Sequence, residues 1–217
     1  MRTGVRDVRR SIYCPRVNTP EFPKRDPAGP EFWDLRYRAH FAPWDAGGVP
    51  RQLRGFVEGS PRAQRVFVPG CGSAWDVRYL AEQGWEVLGL DFSAAAVAAA
   101  RATLGPHADR VREGDVFAPI DGSPFDVVYE RAFLCALPRR LWTAWSERMA
   151  QLVRAGGVLA GFFYFDHGER GPPFPLHTHA ELHALLAPAF ARIEDAAVPD
   201  SIPVFAGKER WQVWKRI

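Results

Sequence analysis

Two glycines and two aspartates carry the first chemical signal in this chain. Gly70 and Gly72 stand in the stretch VFVPGCGSAWD, residues 66–76, where a short apolar run gives way to a helical one. A glycine turn between strand and helix lets backbone N–H groups come close to a ligand, and dinucleotide-binding turns use a third glycine for tight helix packing. Trp75 occupies that third position. An indole there argues against a pyrophosphate-binding NAD or FAD loop and suits a ligand without a phosphate, such as a methionyl-adenosine. No Gly-Lys-Ser/Thr follows the turn, so a nucleoside-triphosphate cradle is excluded as well.

Asp91 follows Gly70 by 21 residues, at the end of the next apolar run in EVLGLDFS. A carboxylate at that place can accept both hydroxyls of a ribose. Phe92 sits beside it, and Ser93 is placed to cap the helix that follows. A third segment, EGDVF, ends the next strand with Asp115, Val116 and Phe117, where an adenine amino group and ring face could be met. Two other signals have simpler explanations. His177, His179 and His183 fall within HTHAELH, but Thr178 with Glu181 three residues on is a capping box, so the segment reads as a helix start and no metal site is expected. Cys14, Cys71 and Cys135 lack metal-ligand spacing, and an odd number of thiols fits a reducing compartment. Cys135, flanked by apolar residues, reads as buried, and Cys71 as a small packing residue.

The elements that must hold these residues alternate. Strands are expected at 65–68, 86–90, 110–113, 125–129, 158–165, 190–196 and 211–215. Helices are expected near 75–83, 93–103, 139–153 and 179–186, with Ala155-Gly156-Gly157 closing the third, and two N-terminal helices start at Pro30 and cover 51–58. Strands alternating with helices mean βαβ units and a parallel sheet.

Composition narrows the function classes. At 217 residues and 47% hydrophobic content the chain suits one α/β domain, expected over 30–217. Its net charge of +3 comes from the first 30 residues, which hold 7 basic and 3 acidic groups, while the rest holds 21 and 22. That Arg- and Pro-rich leader, residues 1–29, is expected to be a flexible tail. A near-neutral body argues against a nucleic-acid partner. No apolar run approaches the roughly 20 residues that span a bilayer, so no membrane partner and a cytoplasmic location are expected. A monomer or weak dimer is expected.

The order of motifs resembles class I S-adenosylmethionine-dependent methyltransferases. FWDLRY, PWDAGGVP, VFVPGCGSAWD, GDVF, YERAFLCALP and GPPF are similar to the thiopurine S-methyltransferase family, over roughly residues 32–214, and YERAFLCALP with VFAGKERWQVW is most like its bacterial halide and thiol branch. The resemblance implies a Rossmann-like seven-stranded sheet with the last strand antiparallel, helices on both faces and an N-terminal helical lid. It implies S-adenosylmethionine as cofactor and S-adenosylhomocysteine as product. Gly70, Cys71, Gly72, Asp91, Phe92, Asp115, Val116, Phe117 and Glu130 would contact the cofactor. Trp33 and Trp44 match aromatics that close over cofactor and acceptor, and Arg131 matches an arginine beside the methyl-transfer site.

Methyl transfer from a sulfonium is an in-line displacement, and an anionic acceptor cancels the sulfonium charge as it reacts, so a dry pocket helps. Phe41, Trp44, Phe133, Phe165 and Phe174 would line that pocket, with Arg131 holding the ionised acceptor. Ordinary core packing is the alternative for the aromatics, and an ion pair with a neighbouring carboxylate is the alternative for Arg131. The acceptor is expected to be a halide, thiocyanate, bisulfide or thiol. The Glu130-Arg131 pair also accommodates a heterocyclic thiol, and a non-catalytic cofactor-binding protein is a third reading.

Overall fold

The computed structural model describes residues 20–217. All seven expected strands form: β1 Arg65–Pro69, β2 Glu86–Asp91, β3 Val111–Glu113, β4 Phe125–Arg131, β5 Val153–Tyr164, β6 Phe190–Ala197 and β7 Glu209–Arg216. They make one sheet in the order β3-β2-β1-β4-β5-β7-β6. The β1, β2, β3, β4 and β5 pairings are parallel, while β7 runs antiparallel to both β5 and β6. The chain therefore works outward from β1 to one edge, then restarts at β4 toward the other. In open α/β sheets that reversal leaves a crevice at the carboxyl ends of the two central strands.

Period-2 alternation sends side chains to two cores. Val66, Val68, Val127, Tyr129 and Phe162 pack on one face with α2 (Arg51–Glu58), α3 (Trp75–Glu82) and α4 (Ala94–Leu104). Phe67, Val128, Leu159 and Phe163 pack on the other with α5 (Trp142–Leu152) and α6 (His179–Leu186). Burying both faces is why the central strands read as continuous apolar runs.

The remaining helix, α1 (Pro30–Arg38), starts with Pro where a helix needs no N–H donor. It docks through a side chain on α1 that completes the start of α4. Asp34 Oδ1 accepts from the Ser93 hydroxyl (2.6 Å) and from Ala95 N (3.0 Å), while Ser93 Oγ itself accepts from Ala96 N (3.1 Å). Free N–H groups at a helix start thus bind the lid helix to the body.

Two expectations need correction. The leader does not extend to residue 29 as a loose tail: residues 1–19 lie outside the described residues, but 20–29 pack on the body. Phe22 lies 5.6 Å from the Phe41 ring, Asp26 pairs with Arg140, and Pro27 O accepts from Trp33 Nε1 (2.8 Å). Aromatic and carboxylate side chains in a Pro-rich segment found partners that composition does not reveal. Second, Ala155-Gly156-Gly157 does not close a helix. α5 ends at Leu152, and these residues lie inside β5, where the register jumps from Phe125↔Val153 to Val127↔Val158. A Cβ on Gly157 would meet Asp126 O at 2.7 Å, so glycine serves close strand approach there.

Candidate active site

A cavity of about 680 Å³ opens at the carboxyl ends of the central strands. Its floor is the turn after β1. Gly70 and Gly72 both have positive φ (57° and 52°), a conformation open to glycine and strained for other residues. A Cβ on Gly70 would strike the Phe133 ring, and one on Gly72 the Tyr37 hydroxyl. The turn is held by Cys71 N donating to Leu90 O (3.1 Å) and Ala74 N donating to Cys71 O (2.9 Å).

Asp91, at the tip of β2, is buried, and its two oxygens accept from Ser93 N and Gly72 N at 3.0 Å each. Burial pushes its carboxyl up to about 6, against the pull of those N–H groups. Beyond β3, Asp115 Oδ1 accepts from Phe117 N (2.9 Å), closing a local turn, and Val116 is pinned through its carbonyl by Arg148 Nε (2.7 Å).

The lid side is aromatic. Trp33 meets Trp44 edge-on at 5.4 Å, and Trp44 Nε1 donates to the Tyr37 hydroxyl at 3.4 Å. Opposite, Arg131 ends β4 with its guanidinium 4.6 Å from the Phe162 ring centroid. Asp76, Tyr129 and Glu209 lie within charge range of Arg131. Tyr129 OH lies within side-chain hydrogen-bonding reach of both Arg131 and Asp76, so Arg131 Nη1, Tyr129 OH and Asp76 Oδ1, all shut from solvent, share one buried cluster. Burial raises Asp76 to about 6, with Arg131 opposing that shift.

Of the residues singled out from sequence, Trp33, Phe41, Trp44, Gly70, Cys71, Gly72, Asp91, Phe92, Asp115, Val116, Phe117, Arg131 and Phe133 line this one cavity. Three do not. Glu130 points away: its Oε1 accepts from Phe133 N (2.8 Å) and Leu134 N (2.9 Å), capping the turn after β4. Its side chain is turned to that loop, whereas Arg131 next to it lines the cavity. Phe165 stacks on His179 at 4.4 Å, and Phe174 folds into the second core with its N–H donating to Cys135 O (2.6 Å). The GPPF loop reaches the cavity through Gly171, Pro172 and Pro173 instead. In HTHAELH, Thr178 Oγ1 accepts from Glu181 N (3.1 Å), as the capping pattern requires, and Glu181 Oε2 accepts from His177 N (2.8 Å).

Sequence reasoning missed Tyr37, Asp76 and Phe205, which also line the cavity. Asp76 was readable as an acid in the first turn of the helix that leaves the glycine turn. Tyr37 and Phe205 lie inside FWDLRY and VFAGKERWQVW, two of the motifs that carry the resemblance, and those motifs were the signal that could have found them.

Residues 28–217 match the thiopurine S-methyltransferase family. The chain belongs to that family. It is 32% identical over 193 residues to thiocyanate methyltransferase 1 of Arabidopsis thaliana, covering 85% of this chain and 84% of that one. It is also 32% identical over 177 residues to a thiopurine S-methyltransferase of Vibrio cholerae, covering 72% and 80%. Among solved structures it is similar to the 1,6-didemethyltoxoflavin-N1-methyltransferase of Burkholderia thailandensis, with a TM-score of 0.68, 19% identity and coverage of 91% and 93%. A TehB-like methyltransferase of Corynebacterium glutamicum matches with a TM-score of 0.63, 19% identity and coverage of 88% and 100%. The chain is thus an S-adenosylmethionine-dependent S-methyltransferase on a class I methyltransferase fold.

The cavity fits that cofactor on its own evidence. Its turn lets the backbone approach a ligand, and Asp91 has lone pairs beyond the two used by N–H groups. Asp76, an acid on the cavity wall beside the glycine turn, suits a cationic group, and S-adenosylmethionine carries such groups.

Proposed function

We infer that this enzyme methylates a small, soft, anionic nucleophile: a halide, thiocyanate, bisulfide or small thiolate. The observation that supports the reading is Arg131, a cation at the end of β4 on the wall of a cavity lined also by Trp33, Trp44, Phe41 and Phe133. Arginine also keeps its charge when desolvated, which favours the ionised form of an acceptor beside it.

When bound, the cofactor supplies an electrophilic methyl on sulfur. The chain's own residues then hold and exclude. Asp91 would accept from the ribose hydroxyls, Asp115, Val116 and Phe117 would frame the adenine, and Asp76 would face the cationic end. Trp33 and Trp44 would close over both ligands, and Phe41 and Phe133 would keep water out. Phe165 and Phe174 would serve from behind, by packing. An acceptor that arrives ionised needs no base, so alignment is the main contribution asked of the protein. The enzyme would work as a monomer or weak dimer on a small-molecule substrate.

The test is to incubate the protein with S-adenosylmethionine and, separately, iodide, thiocyanate, bisulfide, benzenethiol and a thiopurine. S-adenosylhomocysteine and headspace methyl products are measured together. Turnover of iodide, thiocyanate or bisulfide above the bulky thiols is expected. Turnover confined to benzenethiol and the thiopurine would replace this reading with a heterocyclic-thiol acceptor.

A further inference from the structure

One serine joins the lid helix to the loop that carries Asp91. Ser93 is fully buried and uses three groups at once: its N–H donates to Asp91 Oδ1 (3.0 Å), its hydroxyl donates to Asp34 Oδ1 on α1 (2.6 Å), and its Oγ accepts from Ala96 N (3.1 Å). Asp34 Oδ1 takes a second bond from Ala95 N (3.0 Å). The other Asp34 oxygen pairs with Arg38 (3.1 Å), a largely exposed side chain, and such pairs contribute little. Burial opposes the Asp34 charge, but the bonds from Ser93 and Ala95 and the charge of Arg38 hold its carboxyl below the ordinary range, so both bonds to Oδ1 are charge-assisted.

A second contact closes the circuit. Tyr37, one turn along α1 from Asp34, sets its hydroxyl against Gly72, where a Cβ would strike that oxygen. Gly72 N is the donor that holds Asp91 Oδ2 (3.0 Å). The helix therefore meets both residues that fix the Asp91 carboxylate, Ser93 through Asp34 and Gly72 through Tyr37. Trp33 and Tyr37 of the same helix line the cavity, whereas Asp34 and Ser93 do not, so any influence of Asp34 on a ligand passes through its neighbours.

We propose that Asp34 is a positioning residue for the cofactor: its grip on Ser93 locks the lid helix to the Asp91 loop, so that the lid aromatics and the ribose-side carboxylate are held as one unit. The inference rests on the reading of Asp91 as a cofactor residue given above.

The test measures S-adenosylhomocysteine affinity by calorimetry in the wild type, Asp34→Ala, Asp34→Asn, Ser93→Ala, the Asp34→Ala/Ser93→Ala double variant and Asp91→Ala, each at a temperature where circular dichroism shows it folded. Asp34→Ala is expected to weaken binding at least about fivefold, the scale of one lost hydrogen bond. Asp34→Asn, whose amide oxygen still accepts both bonds, is expected to stay within about twofold of the wild type. The double variant is expected to bind within about twofold of the weaker single variant, because both substitutions remove one link. A purely structural role would lower the melting temperature and leave the affinity of the folded protein unchanged. Wild-type affinity in folded Asp34→Ala, or losses that multiply in the double variant, with Asp91→Ala still impaired, overturns the latch and leaves Asp91 in the site. Unchanged affinity in Asp91→Ala overturns the cofactor reading, and the latch with it. Should Asp34→Ala fail to fold, Ser93→Ala cuts the same link from the other side, and wild-type affinity there overturns the latch.

Discussion

At the scale of single residues, Asp91 shows how a site carboxylate is held. Its oxygens are fixed by Gly72 N and Ser93 N, so its direction is set before any ligand arrives. Asp91→Ala is expected to weaken S-adenosylhomocysteine binding at least tenfold, about 1.4 kcal/mol, by calorimetry. Affinity unchanged by that substitution would remove Asp91 from the site. Both the aspartate and the glycines were legible in sequence because their spacing follows from a strand, a tight turn and a helix. That Tyr37 and Phe205 reach the cavity was not legible, since each comes from a segment whose docking depends on contacts distant in the chain.

At the scale of elements, the turn after β4 decides what its neighbours can do. Glu130 is buried and spends one oxygen on two N–H groups, and burial pushes its carboxyl up to about 7. Its work is to shape the turn that carries Phe133, whose ring lies against Gly70. Glu130→Ala is expected to cost about 1–3 kcal/mol of stability by leaving two buried donors unpaired. Glu130→Gln, whose amide oxygen can still accept both bonds, is expected to cost less and to leave S-adenosylhomocysteine affinity within about twofold. Denaturant titration beside calorimetry checks both, and a tenfold affinity loss in the glutamine variant would return Glu130 to the cofactor site. Helix and strand identities were legible from period and caps. The glycine pair at 156–157 was misread because a helix stop and a strand irregularity use the same residue, and only the β4 register tells them apart.

At the scale of the whole molecule, four acids sit above their ordinary range: Asp76 and Asp91 at about 6, Glu130 at about 7, and Glu209, each raised first by burial. A raised carboxyl makes the folded state hold protons that the unfolded state has already released, so its contribution is full below about pH 4 and is lost as pH rises through 6 to 7. Asp166, held near 2 by Lys208, stays ionised across this window. The ligand-free protein is therefore expected to melt at least about 3 °C lower at pH 8 than at pH 5.5. A melting temperature that is flat or rises with pH would contradict the burial of these groups. Among the described residues no helix is long and apolar enough to cross a membrane. The sequence by itself determined the strand and helix alternation, the glycine turn and the two aspartates that follow it, because local spacing and side-chain chemistry suffice for these. Tertiary structure alone decided that Glu130 is taken up by the turn after β4, that residues 20–29 meet Phe41, Trp33 and Arg140, and that Phe205 reaches the cavity. These depend on loop geometry and the meeting of segments far apart in the chain, and no local pattern encodes them.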